Sequence, residues 1–478
     1  MSGVTFVNET FVPAPLYDAF SSFGTGTGPG WLMSAVARRL EEGAALDLII
    51  PANGRTLRAT ARVMRLIPLR TIVIRHETPW EGETSLTFRP VPGGTMVRAV
   101  STLPEAALAW IGETIVAPVS PTSTRGDEVA VGLITSLSGE SGFVGRAVTN
   151  CAILAVEEIN ASGGVGGKEL QLHVLDDETS SKGAAKAIDV LVATQVIAAV
   201  GMHTSLSLSA VEPIVHATRL PYLYAAPHEM DQRSGTLFRL GGSIHRRVDS
   251  ALASLVGALG APPRIYLIGN DYSWPRRTLE GARSACERAN LAVVGETLVP
   301  LEADTDFERI VDDIILSGAN LVVSALIGFA SVDFERAFSS AGLRDDITTF
   351  SALLDEPTLD LLGADGEGIW SCVTYFRDLP TPGNAPFLSR YRERFGARSP
   401  APSALSVPVY ESIHLIARAA SQVAAGTSPD LSSAIAEGKI DGPRGRIALR
   451  DGRCDPPVYL VQATGAGLRL ARALGSAR

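Results

Sequence analysis

The 478-residue sequence predicts an α/β protein in which two parallel-sheet lobes follow a smaller α+β domain built on an antiparallel sheet. Three observations predict it. A single hydrophobic core stops growing at roughly 250–300 residues, so a chain of this length divides into domains. From residue 129 onward, short unbroken apolar runs alternate with helical patterns, as they do when parallel strands are joined by crossover helices. Before residue 117 the runs instead alternate apolar and polar residues, the period of a sheet with one wet face.

The first domain, residues 1–117, opens with a strand from Val4 to Val12, then a short amphipathic helix through Leu16, Ala19 and Phe20. A second helical stretch is expected from Trp31 to Leu40. Five strands follow: Ala45 to Pro51, Thr56 to Leu66, Thr71 to Thr78, Thr84 to Pro90 and Thr95 to Thr102. In the second of these, Leu57, Ala59, Ala61 and Val63 alternate with Arg58, Thr60 and Arg62. The order of strand, helices and meander, with "FVPAPLYDAF" early and "PGGT" (Pro92 to Thr95) at a hairpin, resembles the helix-grip SRPBCC superfamily, the START-like group. That resemblance implies a curved sheet closed by a carboxyl-terminal helix, for which only Pro104 to about Ile115 is available.

"APVSPTSTRGDE", ending at residue 128, is rich in Pro, Ser and Thr without apolar periodicity, and reads as a linker over 118–128. Beyond it, strands are expected at Val129 to Ile134, Leu170 to Leu175, Val196 to Val200, Ile265 to Ile268 and Leu321 to Ala325. One helix carries Val148, Cys151, Ala152, Ala155, Val156 and Ile159 at spacings of three and four. Another is expected to start at a capping box from Thr305 to Glu308 and to bury Phe307, Ile310, Val311 and Ile314. Residues 129–478 then form two lobes, one of about 129–245 with 376–440 and the other of about 246–375 with 441–478.

Composition narrows the function. With a net charge of -9 and no Lys/Arg-rich stripe, direct nucleic-acid binding is not expected. No apolar run approaches the roughly 18 residues a membrane span needs, so no membrane insertion is expected. The opening residues lack the basic start and apolar core of a secretory signal, which points to the cytoplasm, or to the periplasm if the start is misassigned. Cys151, Cys286, Cys372 and Cys454 are far apart with no CxxC spacing, and structural thiols are expected.

Catalytic patterns are missing: there is no HExxH and no GxSxG, and the seven histidines are scattered. "FGTGTGPGW" (Phe23 to Trp31) follows a helix and lacks the Lys-Ser/Thr of a phosphate loop. "NASGGVGGKEL" (Asn160 to Leu170) joins a helix to a strand, the reverse of a dinucleotide fingerprint, and Gly163 and Gly164 are expected to stop that helix. "DDE" (Asp176 to Glu178) has no spaced partner for a metal. The expectation is a binding protein, not an enzyme, with no cofactor and no metal.

"VAVGLITSLSGESGFVGRAVTNCAILAVEEINASGGVGGKELQL" followed by "AAVGMHTSLSLSAVEPIVHATRLPYLYAAPHE" resembles the type I periplasmic binding proteins of the branched-chain amino-acid class, over about residues 129 to 470. "GNDYSWPR" (Gly269 to Arg276) is similar to the amide and urea receptors within that class, which include urea transport proteins and a cytoplasmic negative regulator of aliphatic amidase expression. The resemblance implies a ligand site of Ser205, His203, Tyr224, Ala226, His228, Tyr272, Trp274, Glu356 and Tyr375, with Leu137, Ser138 and Phe143 at the cleft's edge. Where amino-acid receptors carry an Ala-Thr pair for the α-carboxylate, this chain reads Pro227-His228, which favours a neutral amide or urea. The resemblance therefore implies a cytoplasmic sensor of amides, ureas or amino-acid-like molecules, working by lobe closure upon a protein partner. The alternative is the substrate-binding component of an ABC transporter, read by a permease. Self-association is open.

Overall fold

Side-chain period shapes the first part of the chain, as seen in a computed structural model that describes residues 3–12, 14–23, 34–37, 39–52, 55–78, 80–91, 94–104, 128–229, 235–259, 262–301, 305–396 and 399–475. The chain divides into two units, Met1–Ser120 and Pro121–Arg478. The first comprises β1 (Gly3–Val12), α1 (Leu16–Ser22), β2 (Ser34–Val36), β3 (Ala45–Ala52), β4 (Arg55–Ile67), β5 (Thr71–Thr78), β6 (Gly82–Val91) and β7 (Gly94–Pro104). Its strands pair antiparallel in the order β1-β7-β6-β5-β4-β3-β2. Ala61 and Val63 of β4, Ile72 and Ile74 of β5, and Leu86 and Phe88 of β6 share a core with Ala19 and Phe20 of α1. The Phe20 and Phe88 rings meet edge to face at 5.0 Å. Two register shifts in the β4–β5 pairing bend this sheet.

One expectation fails here. Ser34–Val36, within the stretch read as helical from Trp31 to Leu40, is an edge strand paired with β3, Ser34 opposite Ile49. Strand pairing satisfies these backbone groups where a stretch so close to the glycines of Gly24 to Gly30 is poorly placed to start a helix. The stretch Gly24 to Trp31 and the closing helix expected from Pro104 to Ile115 lie outside the described residues, save that Pro104 ends β7.

The second unit alternates strand and helix as expected. Its first sheet is parallel, ordered β12-β11-β10-β8-β9, and is built from β8 (Glu128–Thr135), β9 (Glu169–Asp176), β10 (Ala198–Met202), β11 (Tyr222–Tyr224) and β12 (Leu237–Arg239). The connecting helices are α2 (Gly145–Ala161), α3 (Ser181–Ala193) and α4 (Ser205–Thr218). Gly163 and Gly164, at φ 99° and 71°, end α2.

After α5 (Ile244–Ala258) the second sheet begins, with β13 (Arg264–Asn270), α6 (Ser273–Arg288), β14 (Ala292–Val299), α7 (Phe307–Ser317), β15 (Leu321–Ala325), α8 (Gly328–Ser340), β16 (Thr348–Ser351), α9 (Glu356–Leu362) and β17 (Trp370–Val373). The chain returns to the first lobe as α10 (Asn384–Phe395), α11 (Val407–Ala424) and α12 (Leu431–Ala436), where α10 and α11 pack on α2. After the hairpin of β18 (Lys439–Gly442) and β19 (Gly445–Ala448), β20 (Val458–Thr464) and β21 (Gly467–Gly475) complete the second sheet, ordered β14-β13-β15-β16-β17-β20-β21. Its last two pairings are antiparallel.

Several boundaries move. The strand expected to stop at Ile268 runs to Asn270, and the one expected over Val196 to Val200 runs from Ala198 to Met202. The cap of α7 is Asp306, not Thr305: its carboxylate accepts from the Arg309 amide.

Three segments cross between the sheets, after β12, after β17 and after β19. They are tied together. The fully buried Arg444 donates from Nε to Glu411 Oε2 at 2.7 Å and from both Nη atoms to Leu240 O at 3.3 Å. The first and third crossings also bond through the backbone, the Arg239 amide donating to Gly452 O and the Cys454 amide to Arg239 O, both at 2.8 Å.

Removing one partner of a buried ion pair leaves an uncompensated charge. Glu411→Ala is expected to destabilise the second unit by about 3–5 kcal/mol, and the paired replacement Glu411→Leu with Arg444→Met to recover most of that loss, both read by calorimetric unfolding. In the first unit, burial lowers the pKa of His76 from 6.5 to about 4, and its Nε2 lies 2.8 Å from Thr84 Oγ1. The unfolded chain binds the proton first as pH falls. First-unit stability should therefore hold above pH 6.5 and decline between pH 6.5 and about 4, a dependence that His76→Leu removes.

Candidate functional site

In a parallel sheet the carboxyl end of each strand feeds a loop or a helix start, and ligands gather there. Both sheets of the second unit obey this, and their carboxyl ends line one cavity of about 670 Å³, part of it continuous with solvent. From the first lobe, β8 leads to Ser136, Ser141, Phe143 and Val144, β10 to His203, Thr204 and Ser205, and β11 to Ala226 and Pro227. From the second, β13 leads to Tyr272 and Trp274, β15 to Ile327, Gly328 and Ser331, and β16 to Leu353 and Thr358. Met202, Tyr224 and Leu405 complete the wall.

The aromatic floor is held by hydrogen bonds. His203 Nδ1 donates to Thr204 O at 3.1 Å, which leaves Nε2 to accept from Tyr222 OH at 2.6 Å. Tyr224 OH donates to His203 O at 2.8 Å, and the Tyr224 and His203 rings lie 5.4 Å apart. Burial pushes the His203 pKa down, which favours the neutral imidazole. Burial raises those of Tyr224 and Tyr272. No Asp, Glu, Lys or Arg belongs to the described lining.

The two lobes touch across this cavity. The Trp274 amide donates to Ser205 Oγ at 3.1 Å, and Ser273 Oγ donates to Glu229 Oε1 at 3.0 Å. On the β8 side, the Phe329 amide donates to Glu140 O at 3.1 Å, with the Phe143 and Phe329 rings 5.2 Å apart. The cleft is closed. Behind it, Asn270 Oδ1 accepts from the Ile327 amide at 2.9 Å and fixes the ends of β13 and β15 to each other.

Of the residues expected from the sequence, Ser205, His203, Tyr224, Ala226, Tyr272, Trp274 and Phe143 meet in this cavity. Ser138, His228, Glu356 and Tyr375 stand outside its lining, and each has another task. Ser138 Oγ and the Leu137 and Ser138 amides all donate to the Asp176 carboxylate, bracing the first loop. The His228 amide donates to Gly242 O and its carbonyl accepts from Ile244, within the first crossing. Glu356 Oε1 accepts from the Arg377 amide at 2.7 Å, and Tyr375 OH donates to Asn384 Oδ1 at 2.8 Å, at the second crossing. Burial raises the pKa of Glu356 to about 8.

Asp177 is likewise engaged, accepting from the Thr179 amide and from Ser207 Oγ. Ser136, Ile327, Gly328, Ser331 and Thr358 were not expected from the sequence. The signal for Ile327 to Ser331 was present in the Leu321 to Ala325 strand, whose carboxyl end they follow.

Tyr222→Phe leaves His203 Nε2 buried without its donor. It is expected to cost about 1–3 kcal/mol in unfolding stability, measured by denaturant titration, while leaving the wall residues themselves in place.

Comparison with known proteins places this geometry. Leu/Ile/Val-binding protein homolog 8 of Brucella abortus is 25% identical over 289 residues, covering 57% of this chain and 71% of that protein. A solute-binding protein of an ABC transporter from R. palustris, solved in complex with benzoate, superposes with a TM-score of 0.66 at 18% identity, over 73% of this chain and 97% of that one. The amino acid ABC transporter substrate-binding protein of Pseudomonas fluorescens Pf-5 gives a TM-score of 0.65 at 19% identity, over 75% and 97%. The sequence profile of the family described as Periplasmic binding protein matches residues 128–467. By that match the chain belongs to the periplasmic binding proteins, which bind solutes without catalysis.

Proposed function

We propose that the chain is the solute-binding component of an ABC importer, closing two lobes over a small molecule with an apolar body and a hydrogen-bonding head. The observation that carries this reading is the bond from the Trp274 amide to Ser205 Oγ. It joins the lobes directly at the wall of a cavity made of aromatic rings and hydroxyls. Closure around a guest adds contacts that the open form lacks, so the guest shifts the population toward the closed form. A permease then reads that shape at the outer face of the membrane. The transport role takes precedence over the cytoplasmic amide sensor because the relatives named above are transport proteins or amino-acid-binding homologues.

The amide and urea class expected from "GNDYSWPR" stays within the proposal, since Tyr272 and Trp274 wall the cavity, alongside amino acids and aromatic acids. We read the first unit as a helix-grip domain, on the strength of its seven antiparallel strands and the packing of Phe20 on Phe88.

A thermal-shift screen of the full chain against short amides, ureas, amino acids and aromatic carboxylates tests the reading. A true ligand at a hundredfold excess over its dissociation constant is expected to add about 2.7 kcal/mol. Ser205→Ala should weaken that effect. Stabilisation unchanged in Ser205→Ala would place the ligand elsewhere.

A further inference from the structure

A fully buried hydroxyl of the cavity wall lacks a partner among the described residues. Ser331 is 2% exposed and lines the cavity, and its Oγ has no hydrogen-bond partner among the described residues. It sits in the first turn of α8, which has no side-chain cap at Ile327. The first amides of a helix lack acceptors inside it. Of those in α8, Phe329 donates to Glu140 O and Ser331 to Ile327 O, which leaves the amides of Gly328 and Ala330 without a partner among the described residues. Gly328 is itself at the cavity wall, at φ 63°, where an added Cβ would stand 2.4 Å from Glu140 O.

Two more helices begin at this cavity, α4 at Ser205 and α6 at Ser273, next to Trp274. Ser205 Oγ already accepts from Trp274, so its own proton is free to be given. Three positive helix ends and two donor hydroxyls thus face a space whose described lining holds no cationic or anionic side chain. That field favours an anion and penalises an ammonium group. Of the nearby acids, Glu229 accepts from Ser273 Oγ and offsets the α6 end, which leaves α4 and α8 as the unopposed ends, and Glu335, one turn beyond Ser331, is paired with Arg344. Asp177 is spent on Thr179 and Ser207, and Asp355 caps Thr358 through Oδ1, while burial favours its neutral form.

We propose that Ser331 Oγ and the amino-terminal turn of α8 seat the carboxylate of a guest that carries no amino group, a simple organic acid with an aromatic or branched apolar body. This rests on the cleft being the ligand site, and it narrows the amide, urea, acid and amino-acid classes to one. The second-lobe hydroxyl is then a specificity determinant: it selects acid over amide, while Ser205 serves either.

The test is calorimetric titration of the full chain with matched probes that share a phenyl body: benzoate, 3-phenylpropanoate, benzamide, 3-phenylpropanamide and L-phenylalanine. At least one acid is expected to bind roughly tenfold or more tighter than its amide and than L-phenylalanine. Ser331→Ala should weaken the acid about tenfold and the amide less than about threefold, Ser331→Asp should abolish acid binding while amide binding persists, and Ser205→Ala should weaken both. An amide or L-phenylalanine that binds as tightly as its acid, or a Ser331→Ala variant that treats acid and amide alike, overturns the carboxylate seat and leaves the cleft standing. Binding that Ser205→Ala does not change, or no binding by any probe, overturns the cleft reading and this inference with it.

Discussion

Parallel strands cannot be joined by a tight turn, and the rest of this structure depends on that restriction. The steps from β8 to β11 and from β13 to β17 travel through helices, so the carboxyl ends of those parallel strands emerge on one edge of each sheet and hand over to a loop or a helix start. With two such sheets turned edge to edge, the loops after β8 and β11 and the starts of α4, α6 and α8 all face the same gap. The backbone thereby supplies a polarised floor before any side chain is chosen. Ser205, Trp274 and Ser331 act upon that floor, and need no lysine or arginine to do so.

What could be read in advance was what local pattern determines. The strand from Leu321 to Ala325 is unbroken apolar sequence and came out residue for residue, and the buried face of α7 fell on Phe307, Ile310, Val311 and Ile314. Strand ends were less legible. Gly269 and Asn270 fell outside the strand expected over Ile265 to Ile268, yet both pair with β14, and the Asn270 side chain then braces Ile327. Ser34–Val36 was misjudged because an edge strand is specified by its neighbour β3, and nothing in three residues records that neighbour.

The site was legible where a motif sits beside its strand, as with His203, Ser205 and Tyr224, which meet in the cavity. It was not legible where the chain crosses between lobes. His228, Glu356 and Tyr375 carry chemistry that suits a ligand, but the crossings claim them, through contacts to Gly242, Arg377 and Asn384. Such contacts join positions that only the folded topology brings together. Ser331 shows the opposite difficulty. A serine six residues beyond a strand looks like any helix serine, and its significance lies in the missing partner, which only packing reveals.

The second lobe also carries an indole at an informative place. Trp274 is 4% exposed, stands in the cavity wall and bonds through its amide to Ser205 of the opposite lobe. On the proposed separation of the halves, that ring would leave an apolar enclosure for water, and its emission would shift to longer wavelength. The molecule thus contains its own optical gauge of gape, positioned at the jaw itself and readable without any attached dye.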